Sequence, residues 1–209
     1  MTTEFELLEA ELIKIAMEKL SNTGGANAFF AQEVLRFHSI AGTLLKNGFK
    51  LDETSTVDER YLTHVLSRSL VENFFWVIYL FDDHDETSKR YEELKNSFKR
   101  DYAKLLNEPQ LPRKNELEPA NAEWKNLPRA LDVNSMLGQV KNDYGDLTYL
   151  YFVYRIASFD THGKSLGAIL EAVFGKTCNF PVLKIKYVFE LIASQYRVVL
   201  NDLRASGVI

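Results

Sequence analysis

Apolar residues recur along most of this chain at three- and four-residue intervals, the spacing of one face of an α-helix. Phe5, Leu8, Leu12, Ile15, Ala16 and Leu20 predict a first helix over 4–20, and Ser21-Asn22-Thr23-Gly24-Gly25 ends it. A second helix is predicted over 26–47, stopping at Asn47-Gly48, two residues that tolerate a left-handed backbone. Residues 49–56 are polar loop, and a third helix follows over 57–81. The fourth, over 86–106, carries Tyr91, Leu94, Phe98, Tyr102 and Leu105 on one stripe, with Asp85 as its cap. Pro109, Pro112, Pro119 and Pro128 then break the pattern, so a long ordered loop is expected near 107–131. Shorter helices are predicted over 132–140, 142–159 and 164–175. Pro181 suits the first turn of a last helix reaching about 204. No stretch alternates as a strand does. The expectation is a single all-α domain over 1–209, an antiparallel helix bundle.

Composition changes this picture little. With 209 residues, 46% of them apolar, the chain can bury about 70% of its unfolded surface and needs no disulfide or metal to fold. Cys178 is the single cysteine, so no internal disulfide can form. Glu4, Glu6, Glu9, Glu11 and Glu18 give the first twenty residues an acidic character unlike a signal peptide. The most apolar window, Val65 to Phe81, contains Arg68, Glu72 and Asn73, so it predicts a buried helix, not a membrane span. A cytoplasmic protein without membrane contact is expected. The net charge of −4 gives no general footprint for nucleic acid. It is uneven, however: residues 1–140 hold 17 basic and 23 acidic residues, whereas 141–209 hold 8 and 6. The C-terminal third permits a local anion site.

Two segments concentrate the residues able to do chemistry. In the third helix, His64, Arg68, Glu72, Phe75 and Tyr79 share one stripe, and Arg68 and Glu72 are four apart, so they can pair. A charged pair embedded in an apolar helix is expected to be buried and hydrogen-bonded, as a structural ion pair or as support for a site. In the segment Tyr144 to Ser165, Tyr144, Thr148, Tyr151, Arg155, Ser158 and His162 share another stripe. Arg155 and His162 lie two helical turns apart, about 10.5 Å along the axis. A guanidinium grips phosphate oxygens through paired donors, and an imidazole moves protons near neutral pH. The competing structural reading has His162 at a helix end and Arg155 paired with a carboxylate such as Glu72.

The segment Tyr154-Arg155-Ile156-Ala157-Ser158-Phe159-Asp160-Thr161-His162-Gly163-Lys164-Ser165 resembles the signature of a bacterial all-helical family of unknown function. That family carries a Tyr-Arg, a Ser and a His at this spacing, and an earlier Arg-x3-Glu helix matched by Arg68 and Glu72. It is similar to the wider HEPN group, whose ribonucleases carry Arg-x4–6-His, as Arg155 and His162 do. The resemblance spans about residues 30–175. It implies a HEPN-like bundle acting as a homodimer on RNA, as a toxin or antiphage ribonuclease. One His162 would take the 2′-hydroxyl proton and its symmetry mate would protonate the leaving oxygen, with Arg155 stabilising phosphate charge. Tyr151, Ser158, Arg68 and Glu72 would support or bind substrate. No metal or other cofactor is implied. Ile156 stands where ribonucleases of the group carry a polar residue. The alternative is a non-catalytic helical module that binds a protein or nucleotide.

Other features carry less. Gly163-Lys164-Ser165 ends like a phosphate-binding loop but lacks its earlier glycine and a preceding strand, so it predicts a helix start. Residues 81–86 gather Asp82, Asp83, His84, Asp85 and Glu86 without a metal-binding spacing, which predicts a solvated turn. His38 and His64 fit no ligand pattern and are assigned to a helix surface or core, and Cys178 to a buried small hydrophobe. The aromatic runs at 74–76 and 149–154 can stack on bases, but at helical spacing they are expected to be core.

Overall fold

A computed structural model describes residues 2–14, 22–162, 166–176 and 183–208. These residues form an all-α helical bundle, with no strand among them. The α-helices are α1 (Glu4–Lys14), α2 (Gly25–Lys46), α3 (Val57–Phe81), α4 (Thr87–Leu105), α5 (Val133–Leu137), α6 (Leu147–Thr161), α7 (Leu166–Phe174) and α8 (Ile185–Ala205). Among the described residues no helix is long and apolar enough to cross a membrane. The chain divides into two compact units, residues 1–77 with 142–209, and residues 78–141.

The larger unit is built on aromatic residues. Tyr196 of α8 meets Phe37 edge-on at 5.3 Å and Phe30 at 5.8 Å, both from α2, and Phe74 of α3 at 5.8 Å. Phe37 also meets Phe189 edge-on at 6.0 Å. Edge-to-face pairs add about 0.5–1.5 kcal/mol each beyond the area they bury, so this cluster joins three helices strongly. Phe5, Leu8 and Leu12 of α1 are buried, and ion pairs surround them. Arg197 of α8 contacts Glu4 at 2.5 Å and Glu11 at 2.7 Å, and Arg204 contacts Glu11 at 3.1 Å. Glu9 takes Lys46 at 2.6 Å and His38 at 3.2 Å, which draws α1 onto α2. His38 stacks on Phe5 at 5.5 Å, so it is a partly exposed surface histidine, as anticipated.

The smaller unit contains the proline-rich segment. Its loop holds two 3-10 turns, Lys114–Glu116 and Ala122–Asn126. Tyr102 stacks on Phe98 at 6.0 Å, lies 6.3 Å from Trp124, and donates its hydroxyl to the Glu118 carbonyl at 2.7 Å. The 81–86 turn is less solvated than its composition predicts. Asp82 is buried, and both its oxygens accept the Lys141 backbone N–H, at 3.1 and 3.0 Å. Arg90 is buried against Tyr79, donates to the Tyr79 carbonyl, and lies 4.4 Å over the Tyr79 ring.

Helix limits follow the sequence reading closely, except that α5 covers only Val133–Leu137 of the expected 132–140, and with two further corrections. Asp85 does not cap α4: Glu86 occupies that position and makes no side-chain cap bond, while the Asp85 N–H donates to Asp83. The helix expected from 142 begins at Leu147, capped by the Asp146 carboxylate on the Tyr149 N–H at 3.0 Å. Gly145 turns the chain there at φ +76°, a conformation strained for any side chain, with Leu191 packed 3.6 Å from where a Cβ would stand. Tyr144 therefore lies before the helix, buried, and leaves the stripe assigned to it. The helix positions Ile15, Ala16 and Leu20, the helix start at Gly163-Lys164-Ser165, the burial expected of Cys178 and the first helical turn at Pro181 lie outside the described residues.

Candidate functional site

The site is a polar seam between α3 and α6 with an exposed face beside it. Along α3, His64, Arg68 and Glu72 recur every four residues and so present one stripe. Along α6, Tyr154, Ser158 and Asp160 meet that stripe. The Arg68 guanidinium uses three nitrogens on three partners. One donates to Glu72 at 2.6 Å, Nε donates to the Ser158 hydroxyl at 3.1 Å, and the remaining one donates to the Tyr154 hydroxyl at 3.2 Å. The guanidinium also lies 4.8 Å from the Tyr154 ring centre. Ser158 passes its own hydroxyl proton to the Tyr154 carbonyl at 2.7 Å. Tyr154 is packed edge-on against Phe75 at 5.9 Å and stacked on Tyr151 at 6.2 Å. Its phenol is pushed above its ordinary range, first by burial and then by the nearby Glu72 charge.

Arg68 pairs with Glu72, as their four-residue spacing predicts, and it also reaches Ser158 and Tyr154 on α6. Burial is less complete than expected, with the Arg68 side chain 17% and the Glu72 side chain 34% exposed. Water reaches the carboxylate, so this pair lies at the rim of the core.

A second pair in the seam escaped sequence reasoning. His64 Nδ1 lies 2.7 Å from Asp160 Oδ2, with both residues buried. Burial holds the imidazole below its ordinary value, outweighing the opposing pull of Asp160, and the Arg60 charge acts in the same downward direction. His64 is thus a core histidine with a specific partner. The available signal was its place on the Arg68–Glu72 stripe. Its partner was not legible, because residues 64 and 160 are 96 apart and only tertiary packing joins them.

The two residues with the strongest chemical promise lie outside the seam. Arg155 is exposed on α6 and makes no ion pair among the described residues. His162 is exposed and forms the C-cap of α6, its backbone N–H donating to the Ser158 carbonyl at 3.1 Å and toward that of Asp160. Phe152 and Phe159, 42% and 41% exposed, share this face. The four positions fall at intervals of three, four and three, a single stripe. Arg155 does not neutralise Glu72; Arg68 has that role. His162 does end a helix, as its structural reading supposed, but its imidazole projects into solvent-accessible space. Tyr151 and Ser158 are half-buried between seam and face. Ser158 is fully committed to Arg68 and Tyr154, so it supports the helix and is not open to substrate. Phe74 and Phe75 are core, as expected, but the other aromatics of the two runs are not: Trp76, Tyr149, Tyr151 and Tyr154 are half-buried and Phe152 is exposed.

Among the described residues no group of three or more His, Cys, Asp or Glu is arranged to hold a metal ion. A hollow of about 680 Å³ opens in the smaller unit between the end of α4 and residues 114–125, and none of the candidate residues lines it. No family model, curated protein or solved structure matches this chain.

Proposed function

We propose that this protein is a HEPN-like, metal-independent ribonuclease whose working face is the exposed stripe of α6 carrying Arg155 and His162. The observation that supports it is the division of labour between two arginines. Arg68 binds Glu72, Ser158 and Tyr154, which leaves Arg155 exposed and without an ion pair among the described residues, on the same stripe as an exposed imidazole. A planar guanidinium is suited to hold a phosphodiester through paired donors. An imidazole near neutrality is suited to remove or supply a proton. In the homodimer proposed here, one His162 accepts the proton of the 2′-hydroxyl as that oxygen attacks phosphorus. The second His162 protonates the departing 5′-oxygen. The products are a 2′,3′-cyclic phosphate and a free 5′-hydroxyl, and Arg155 stabilises the charge that builds on the non-bridging oxygens. The proposed setting is the cytoplasm, where RNA is the substrate.

The test is cleavage of mixed RNA by the purified protein in EDTA, scored for 2′,3′-cyclic phosphate ends. His162→Ala should lose about 10²–10⁴-fold in rate while remaining folded. Arg155→Lys should lose most activity, since an ammonium cannot reproduce the paired donors. Equal cleavage by wild type and His162→Ala would place the activity elsewhere. A second reading, a non-catalytic interaction module, is favoured by one observation: Phe152 and Phe159 expose apolar surface on both sides of Arg155. A folded protein that cleaves no RNA under any condition would select that reading.

A further inference from the structure

We propose that the buried His64–Asp160 pair is a positioning device that fixes His162 at the end of α6. This rests on the ribonuclease reading for its catalytic consequence, although the anchoring itself does not. Helix ends fray because their last carbonyls and the residues beyond them lack intrahelical partners. His162 sits at such an end, and its backbone is tied to the helix through the carbonyls of Ser158 and Asp160. The side chains of those same two residues are held from α3. Arg68 Nε grips the Ser158 hydroxyl at 3.1 Å, and His64 Nδ1 meets the Asp160 carboxylate at 2.7 Å. The last turn of α6 is thereby clamped at two points four residues apart on α3, and His162 stands two residues after the second clamp.

The chemistry of the pair suits this role. His64 and Asp160 are buried, so neither touches substrate, and a carboxylate in the interior keeps its place only with a hydrogen-bond partner. The imidazole supplies one such partner, through Nδ1–H. Of the polar groups of α3 nearby, the Thr63 hydroxyl is occupied locally, donating to the Arg60 carbonyl at 3.0 Å. A catalytic imidazole that drifts by about 1 Å can lose about 10²-fold in rate. His64 and Asp160 are therefore positioning residues that act through the backbone of His162.

The experiment uses the full chain, labelled with ¹⁵N, as wild type and as Asp160→Ala, His64→Gln and Asp160→Asn. It reads the heteronuclear NOE of the His162 amide, together with kcat and KM on RNA. In Asp160→Ala the His162 NOE should fall while those of the α8 amides stay unchanged. kcat should drop about 10- to 100-fold with KM within about twofold. Asp160→Asn, whose amide oxygen can still accept from Nδ1–H, should restore both. If Asp160→Ala does not fold, His64→Gln decides in its place. An unchanged His162 NOE in a folded pair-breaking variant overturns the proposal, as does a fall in KM-dependent binding with kcat intact. Absence of cleavage by the wild type overturns the ribonuclease reading alone, and the NOE then decides whether the pair anchors His162.

Discussion

Two buried ionisable side chains respond to pH in opposite senses, and each yields a stability prediction. Burial lowers the His64 pKa, so as pH falls through about 6.5 the unfolded chain takes up its proton before the native protein does. Stability from this group is therefore present above that pH and lost below it, at a rate of at most about 1.4 kcal/mol per pH unit. Denaturant unfolding at pH 7.5, 6.5 and 5.5 should show the loss in wild type. His64→Gln should flatten the curve over this window. Glu33 runs the other way. It is buried on α2, Arg36 approaches one oxygen at 3.3 Å, and its Oε2 has no hydrogen-bond partner among the described residues. Desolvation raises its pKa above 4.5 in spite of the Arg36 charge and the nearby Asn73 amide. Its contribution is present below 4.5 and is lost as pH rises through the folded value. Glu33→Gln should therefore stabilise the protein by about 1 kcal/mol at pH 7. The advantage should shrink toward pH 4, as thermal melts at both pH values will show. Neither partner environment was visible in the sequence, which displayed a His and a Glu at helical spacing and nothing of what faces them.

At the scale of elements, the α3–α6 seam and the α1 strap are held by different physics. Arg68 is mostly buried and makes three hydrogen bonds of different chemistry, so Arg68→Lys keeps the charge but loses the fork. A loss of about 1.5–3 kcal/mol is expected, the range for bonds to a charged group, whereas Glu72→Gln at the wetter end should lose only about 1 kcal/mol. Equal losses for the two variants would mean that Ser158 and Tyr154 add nothing to the grip. The strap is surface electrostatics around a small apolar stripe. Arg197→Gln removes the pairs to Glu4 and Glu11 but leaves Phe5, Leu8 and Leu12 in place. Hydrogen exchange in α1 should rise several-fold, and more at low salt than at high salt, because high salt already screens the wild-type pairs. Helix existence was legible throughout, since three- and four-residue spacing is a direct projection of helical geometry. Start points were less so: α6 begins five residues later than expected because Gly145 adopts a left-handed backbone and Asp146 caps the turn after it. Arg68 and Glu72 were legible as a pair because they share one helix. Tyr154, Ser158 and Asp160 were not legible as their neighbours, because pairing between helices is set by packing that leaves no periodic trace.

For the whole molecule, charge sets how any RNA would be met. The net charge is −4 with a sequence pI near 5.7, so the protein as a whole repels a polyanion. Attraction has to come from a few cations on one face, and on the α6 stripe Arg155 is the permanent one, with His162 contributing when protonated. Few phosphate contacts release few counterions, and each contact to a single strand contributes a slope of about −0.7 in log K against log salt. On the ribonuclease reading, a slope between about −1 and −2 is therefore expected for single-stranded RNA bound by His162→Ala, which that reading makes too slow to consume it. Adding Arg155→Ala to that variant should make the slope shallower by about 0.7, because one phosphate contact is lost. Fluorescence anisotropy across 25–200 mM salt measures both. A steep slope, like that of proteins with a broad basic groove, would mean that cations beyond the α6 stripe carry the RNA. An Arg155→Ala slope equal to that of its parent would remove Arg155 from the phosphate contact and, with it, the charge-stabilising role assigned to that guanidinium.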